Sequence, residues 1–142
     1  MKALTICQPY AHMILRGEKV IENRTWPTKH RGPMYLHAGK SREWWDDEVH
    51  GRMYRGATFG AVVGIVDVID CVRVEDIRSG KLYSELADSC HTNGPWCWVL
   101  DKVTPIGPWP WRGAQGLFEI DCDELGRLAN KLLGIKEDAH SA

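Results

Sequence analysis

The sequence predicts an α+β fold, a small and strongly curved mixed β-barrel flanked by about three helices. Three observations carry that prediction. An apolar, β-branched run over residues 61–72 reads as a central strand buried on both sides. Shorter runs near residues 3–7, 19–26, 34–38, 95–103 and 116–120 read as further strands. Segments with apolar residues at helical spacing lie between and after these runs, at the ends or sides of the barrel.

The elements follow in order. Residues 3–7 form a strand that ends at Gln8-Pro9, and proline suits the first turn of the helix that follows. Tyr10, Ala11, Met13, Ile14 and Leu15 make that helix mostly apolar, and Gly17 stops it by taking the left-handed residue past its end. A strand begins near Lys19, and its alternation puts Glu22, Arg24 and Trp26 on one face and Ile21 and Asn23 on the other. The flexible stem of Lys19 brings its ammonium to the polar face. A carboxylate, a guanidinium, an ammonium and an indole would then converge as a grip for a flat polar ligand. The alternative is a surface ion pair of Glu22 and Arg24 beside a tryptophan that covers a barrel end.

Residues 26–33 form a polar turn with Lys29, His30 and Arg31 at its tip. In the next strand Met34, Leu36 and Ala38 face inward, opposite Tyr35 and His37; His37 is a candidate proton shuttle or stacking partner, or a hydrogen-bonded histidine at the barrel end. Ser41 reads as the cap of a helix over residues 42–54, with Trp44, Trp45, Val49 and Met53 packing inward and acids in its first turns. Asp67 interrupts the central strand, and a carboxylate buried there needs donors or a cation; it is either a general acid or base near Lys19 and Arg24 or a structural anchor. Residues 74–93 hold a short helix and a variable connection. The strand at 95–103 sets Trp96, Trp98 and Leu100 against Cys97 and Val99, and residues 105–113 read as a proline-rich loop too interrupted for regular structure. Asp121 or Asp123 caps a last helix with a stripe of Leu125, Leu128, Ala129, Leu132 and Leu133, closed by Gly134. Residues 1–135 form one domain and 136–142 a frayed tail.

Charge is unevenly spread. The chain is net -1, yet residues 16–42 carry seven cations against two acids, net +5, which leaves -6 for the rest. Such a local basic face suits a short phosphate-bearing ligand better than a long duplex, whose binding scales with the phosphates neutralised. Five cysteines without a Cys-x-x-Cys pair indicate free thiols in a reducing compartment, and Cys90, His91 and Cys97 lack the paired spacing of zinc ligands. Phosphate-loop, dinucleotide, His-Glu-x-x-His and Gly-x-Ser-x-Gly fingerprints are absent, so no metal and no cofactor is expected. No run reaches the length of a membrane helix or a signal-peptide core, and a cytoplasmic location is expected.

Several segments together resemble the ASCH domain family (activating signal cointegrator homology) of the PUA-like superfamily. They are Gln8-Pro9-Tyr10-Ala11, Gly17-x-Lys19-x-x-Glu22-x-Arg24, Trp26-x-Thr28-x-x-Arg31-Gly32, Leu36-His37-Ala38, the run from Gly64 to Cys71, and Pro110-Trp111-Arg112-Gly113. The resemblance implies a PUA-like barrel with a cleft beside the first helix, and binding of RNA, a nucleotide or a nucleoside there. Lys19, Arg24 and Arg112 would engage phosphate, Trp26 with Tyr10 or Trp111 would stack a base, and Glu22 would accept from an exocyclic amine or ribose, with Arg31, His37 and Asp67 as further candidates. Some relatives are enzymes, so the same cleft could serve a ribonuclease, or an N4-acetylcytidine amidohydrolase, with Lys19 and Glu22 as catalytic pair. In the deacetylating branch a threonine falls where this chain has Glu22, a departure that removes a nucleophile or orienter. A protein partner anchored by the tryptophans of residues 109–111 is the third reading.

Overall fold

A computed structural model describes residues 1–136. Its ten main elements run β1 (Lys2–Ile6), α1 (Tyr10–Leu15), β2 (Ile21–Arg24), β3 (Gly32–Ala38), α2 (Val49–Met53), β4 (Ala61–Arg73), α3 (Val74–Arg78), β5 (Trp96–Pro110), β6 (Leu117–Glu119) and α4 (Asp123–Leu133). The strands make one sheet in the order β2-β5-β4-β3-β1-β6, with β1 and β3 parallel and every other pairing antiparallel. This is the α+β mixed barrel expected, curled into a half-barrel with four helices in place of about three. Register shifts between β4 and β5, and another between β3 and β4, supply the curl, because each bulge bends and twists the strand that carries it.

Alternation sorts the core into an inner and an outer layer. Leu4, Leu36, Val66, Trp98 and Ile14 of α1 fill the hollow of the half-barrel. Tyr35, Val62 and Ile65 point outward against Leu125 and Ala129 of α4. A third cluster joins Ile21, Val72 and Val99 to Ile77 of α3. The expected parity of β3 and of Trp98 against Cys97 and Val99 is therefore what the sheet uses. Helix α1 lies so close to the sheet that a Cβ on Gly64 would stand 2.6 Å from Leu15, so that position needs a residue without a side chain. Gly17 takes φ of 75° after α1, as its place in the sequence predicts.

Four expectations need correction. The helix over 42–54 shortens to Val49–Met53, because side chains before it bond locally: the Asp46 carboxylate accepts the Val49 N–H at 2.9 Å and the Trp45 indole donates to Asp47 at 2.8 Å. Ser41 caps only a turn, accepting the Glu43 N–H at 3.3 Å. The proline-rich loop is instead the second half of β5, with Pro105 opposite Gly64 and Pro110 opposite Ala61. Beyond Val99 no strand among the described residues flanks β5 on its far side, and an edge tolerates proline because no ladder donor is required there. Asp67 is half-buried rather than sealed on both faces; it stands opposite Pro33 and Asp101, next to a register shift. Helix α4 starts at Asp123 with Cys122 at its cap and no side-chain cap bond, though Asp123 and Glu124 still place their charge on the first turn. Gly134 ends it at φ of 72°. Apart from Lys136, the expected tail lies outside the described residues.

Candidate nucleic-acid cleft

The half-barrel fails to close between β2 and the end of β1. Strand β6 pairs with Lys2, Ala3 and Leu4 only, so the Thr5 carbonyl is left over on that side. Arg24 takes it, donating from Nη2 at 2.8 Å and tying β2 across the opening. A cleft of about 580 Å³ lies at this seam. Its floor comes from Cys7, Tyr10, Lys19, Glu22 and Arg24, one wall from Cys90, His91 and Asn93, and the other from Lys40, Ser41 and Trp44.

The charges inside are close and uneven. The Glu22 Oε2 accepts from Arg24 Nε at 3.0 Å and lies 2.8 Å from its Nη2, while Oε1 is 3.8 Å from the Lys19 ammonium. Lys19 is only 4% exposed and donates to the Ile21 carbonyl. Burial pushes its pKa down from the ordinary lysine value, and the Glu22 carboxylate resists that shift. Two cations share one acid, so the trio carries a net positive charge into the hollow. Its ammonium also stands 5.8 Å from the centre of the Tyr10 ring. Such a site attracts an anionic oxygen, and offers a carboxylate acceptor beside it. Cys7 is not primed as a nucleophile: burial, and then the charge of Glu22, push its thiol up.

Two side chains hold the walls. Asn23 donates to the His91 carbonyl at 2.8 Å and accepts from the N–H groups of Asn93 and Gly94 at 3.0 and 2.7 Å, which fixes the 91–94 wall to β2. Gln8, fully buried, accepts the His12 N–H and donates to the Thr58 carbonyl, both at 2.9 Å, which seats α1 and therefore Tyr10. Neither role shows in the spacing of the sequence, although both residues sit inside the motifs singled out there.

Of the ten candidates, Tyr10, Lys19, Glu22 and Arg24 meet in the cleft. The other six lie elsewhere. Trp26, just past the end of β2, packs edge to face on Trp98 at 4.9 Å, because alternation no longer governs a residue outside the strand. Arg31 bonds its own turn and stands 3.7 Å from Asp70. His37 is 1% exposed, with Nδ1 3.1 Å from the Thr5 hydroxyl and Nε2 2.7 Å from the Trp111 carbonyl, an anchor for the chain after β5. Trp111 packs with the outer layer, Arg112 is exposed, and neither they nor Asp67 line the cleft. The residues missed are Lys40, Ser41 and Trp44 on the mouth, where helical spacing had pointed Trp44 inward.

A second hollow, about 550 Å³, lies beside α4 between Met1 and Asn130. Volume does not separate the two. Chemistry does: Asp121, Asp123, Arg127 and Lys136 line the second hollow without an ion pair among the described residues, whereas in the cleft Lys19, Glu22 and Arg24 are drawn together beside Tyr10.

The model of the ASCH domain matches residues 4–107. Activating signal cointegrator 1 of Homo sapiens is 32% identical over 87 residues, covering 53% of this chain and 15% of that protein. Its Mus musculus counterpart is 33% identical over 81 residues, covering 49% and 14%. The chain thus spans only a small part of the length of these relatives. Among solved structures, the ASCH protein of Zymomonas mobilis superposes with a TM-score of 0.58 at 15% identity, over 91% of this chain and 93% of that one. A mutant form of the same Zymomonas mobilis protein gives 0.57 at 16%, over 91% and 96%. These structures speak for the fold. No helix among the described residues is long and apolar enough to cross a membrane.

Proposed function

The chain belongs to the ASCH domain family, and from that premise we propose that it binds RNA or a nucleotide in the cleft between β2 and α1. The family is a PUA-like one whose members are generally RNA-binding. The observation that carries the proposal is the net positive Lys19–Glu22–Arg24 trio, opening into a 580 Å³ cleft beside Tyr10. Lys19 attracts a phosphate as a point charge, and Arg24 offers a guanidinium already held in place by Glu22 and Thr5. The free edge of the Glu22 carboxylate accepts from an exocyclic amine or a ribose hydroxyl, and the Tyr10 ring stacks on a base.

Replacing one charge strands the others, so the test removes all three while keeping their bulk. In the Lys19→Met/Glu22→Gln/Arg24→Gln variant, affinity for labelled single-stranded RNA should fall at least ~10-fold, with a weaker dependence on salt. Unchanged binding in a folded variant overturns the proposal.

The lowered pKa of Lys19 favours one further reading, hydrolysis in the same cleft. Ribonuclease activity comes first and N4-acetylcytidine amidohydrolase second, with Lys19 and Glu22 exchanging protons. The Arg24 contacts to Glu22 oppose it, since Nε and Nη2 both engage Oε2 and occupy that oxygen before a substrate proton can reach it. Product from RNA or acetylated cytidine with the wild type, and none with Lys19→Met, would establish catalysis.

A further inference from the structure

Trp44 is the one exposed tryptophan of the seven; the other six are buried or half-buried. It is 56% exposed and lines the mouth of the cleft. Its neighbour Trp45 shows what a settled tryptophan looks like on the same segment. The Trp45 ring meets Phe59 edge to face at 5.3 Å and its indole N–H donates to Asp47. Trp44 has no aromatic partner and no hydrogen bond among the described residues. An indole held at the rim of a polar cleft, with its own chain giving it nothing to cover, exposes a face of the kind bases stack on.

Two further groups stand with it. Lys40 lines the same mouth, is exposed, and has no ion-pair partner among the described residues. Its stem is directed along Gly60, where a Cβ would stand 2.9 Å from Lys40 Cε, so the side chain lies against the protein instead of trailing free. Ser41 lies between the two in sequence and also lines the cleft; its hydroxyl accepts the Glu43 N–H and keeps its own proton to donate. An ammonium, a hydroxyl and an indole on one stretch of chain match the parts of one nucleotide: phosphate, sugar and base. The floor of the cleft already has its own cations, its own acceptor and its own ring in Lys19, Arg24, Glu22 and Tyr10.

We infer that Lys40, Ser41 and Trp44 form an outer subsite for a second nucleotide, so that the cleft holds a single strand more tightly than a lone nucleotide. The inference rests on the proposed RNA-binding role, and it concerns what that site selects. Trp44 stacks the base next to the one received on the floor, and Lys40 neutralises the phosphate that joins or follows them. A β-branched or charged residue at 44 would remove the face without disturbing the barrel, because the side chain is outside the core.

The test compares a random-sequence RNA octamer with the four nucleoside monophosphates on Trp44→Ala, Trp44→Phe, Lys40→Met and the neutralised floor variant. Trp44→Ala should weaken octamer binding about 10-fold, as loss of one stacked base does, while monophosphate binding stays within about 2-fold. Trp44→Phe should keep octamer binding within about 3-fold of the wild type. Lys40→Met should lower the magnitude of the octamer's log-log salt slope by ~0.7, one phosphate of a single strand. Full octamer affinity in Trp44→Ala, with loss in the floor variant, overturns the outer subsite and leaves the cleft reading standing. Equal losses in Trp44→Ala and Trp44→Phe overturn stacking. A wild type that binds neither probe removes the cleft reading itself. If Trp44→Ala instead abolishes a nuclease-resistant protein contact and spares RNA, the surface belongs to a protein and the inference is wrong.

Discussion

Trp26 leaves β2 and turns into the half-barrel, where its ring meets Trp98 edge to face and its carbonyl accepts the Trp98 indole N–H at 3.3 Å. Trp44 leaves the neighbourhood of β3 on a stretch without regular structure and stays in solvent at the cleft mouth. Pattern reading assigns them the other way round, with Trp26 on the ligand face and Trp44 in a helical core stripe. The two positions differ in what surrounds them, not in local sequence character. A residue just beyond a strand end follows the packing of its neighbours, and a residue in a would-be helix follows whichever hydrogen bonds its acidic neighbours make first.

The larger effect lies at Trp26. Trp26→Ala removes a half-buried ring from the inner layer and should cost about 3 kcal/mol in urea unfolding, near the low end for tryptophan truncations. RNA affinity of the folded fraction should hardly move. Trp44→Ala should do the reverse, with stability within about 0.5 kcal/mol of the wild type. If both substitutions unfold the protein alike, or if Trp26→Ala selectively abolishes binding, the assignment of the two rings fails.

A smaller effect tests the 91–94 wall of the cleft. Asn23→Ala removes three bonds to the backbone of the 91–94 stretch and leaves the Asn93 and Gly94 N–H groups without their acceptor. A cost of about 2 kcal/mol follows from losing such bonds at a partly buried site. Hydrogen exchange should quicken at Asn93 and Gly94 first, before the core strands, because only that wall is released. Uniform quickening over the whole sheet would show that Asn23 supports the fold at large and not the wall.

Much of the frame was legible in the chain. Gly17 marked the end of α1, the β-branched run at 61–72 marked the centre of the sheet, and alternation gave the correct faces for Tyr35 against Leu36 and for Trp98 against Val99. The Lys19–Glu22–Arg24 convergence was legible for the same reason: Glu22 and Arg24 lie two apart on one strand. What could not be read is long-range. Nothing local says that β5 continues through three prolines, because that depends on its being an edge past Val99. Nor does any spacing reveal that His37 reaches the Trp111 carbonyl, or that β6 stops short and leaves Thr5 for Arg24. The mouth of the cleft was missed because Lys40, Ser41 and Trp44 reach it only through the path the chain takes after β3.

The finest distinction between floor and rim is one of pH. Lys19 titrates below the usual 10.5 in the folded protein, chiefly because burial disfavours its charge. Between its folded pKa and 10.5 the unfolded chain therefore binds more protons than the folded one, and stability rises with pH across that window. Tyr83 acts the other way. Its hydroxyl is raised from 10.0 to about 12, by burial and then by its bond to Asp70, so the stability it confers is complete below 10 and is lost toward 12. Subtracting the Lys19→Met variant from the wild type cancels the tyrosine and leaves the lysine: the difference should tilt toward the wild type as pH climbs through the window. RNA affinity should fall over the same range, since the ammonium that attracts phosphate is being discharged while the fold gains. The loss caused by Trp44→Ala should stay constant there, because an indole does not titrate. Parallel pH curves for Lys19→Met and wild type, in both stability and affinity, would show that the ammonium at 19 is neither strained by burial nor in contact with the ligand.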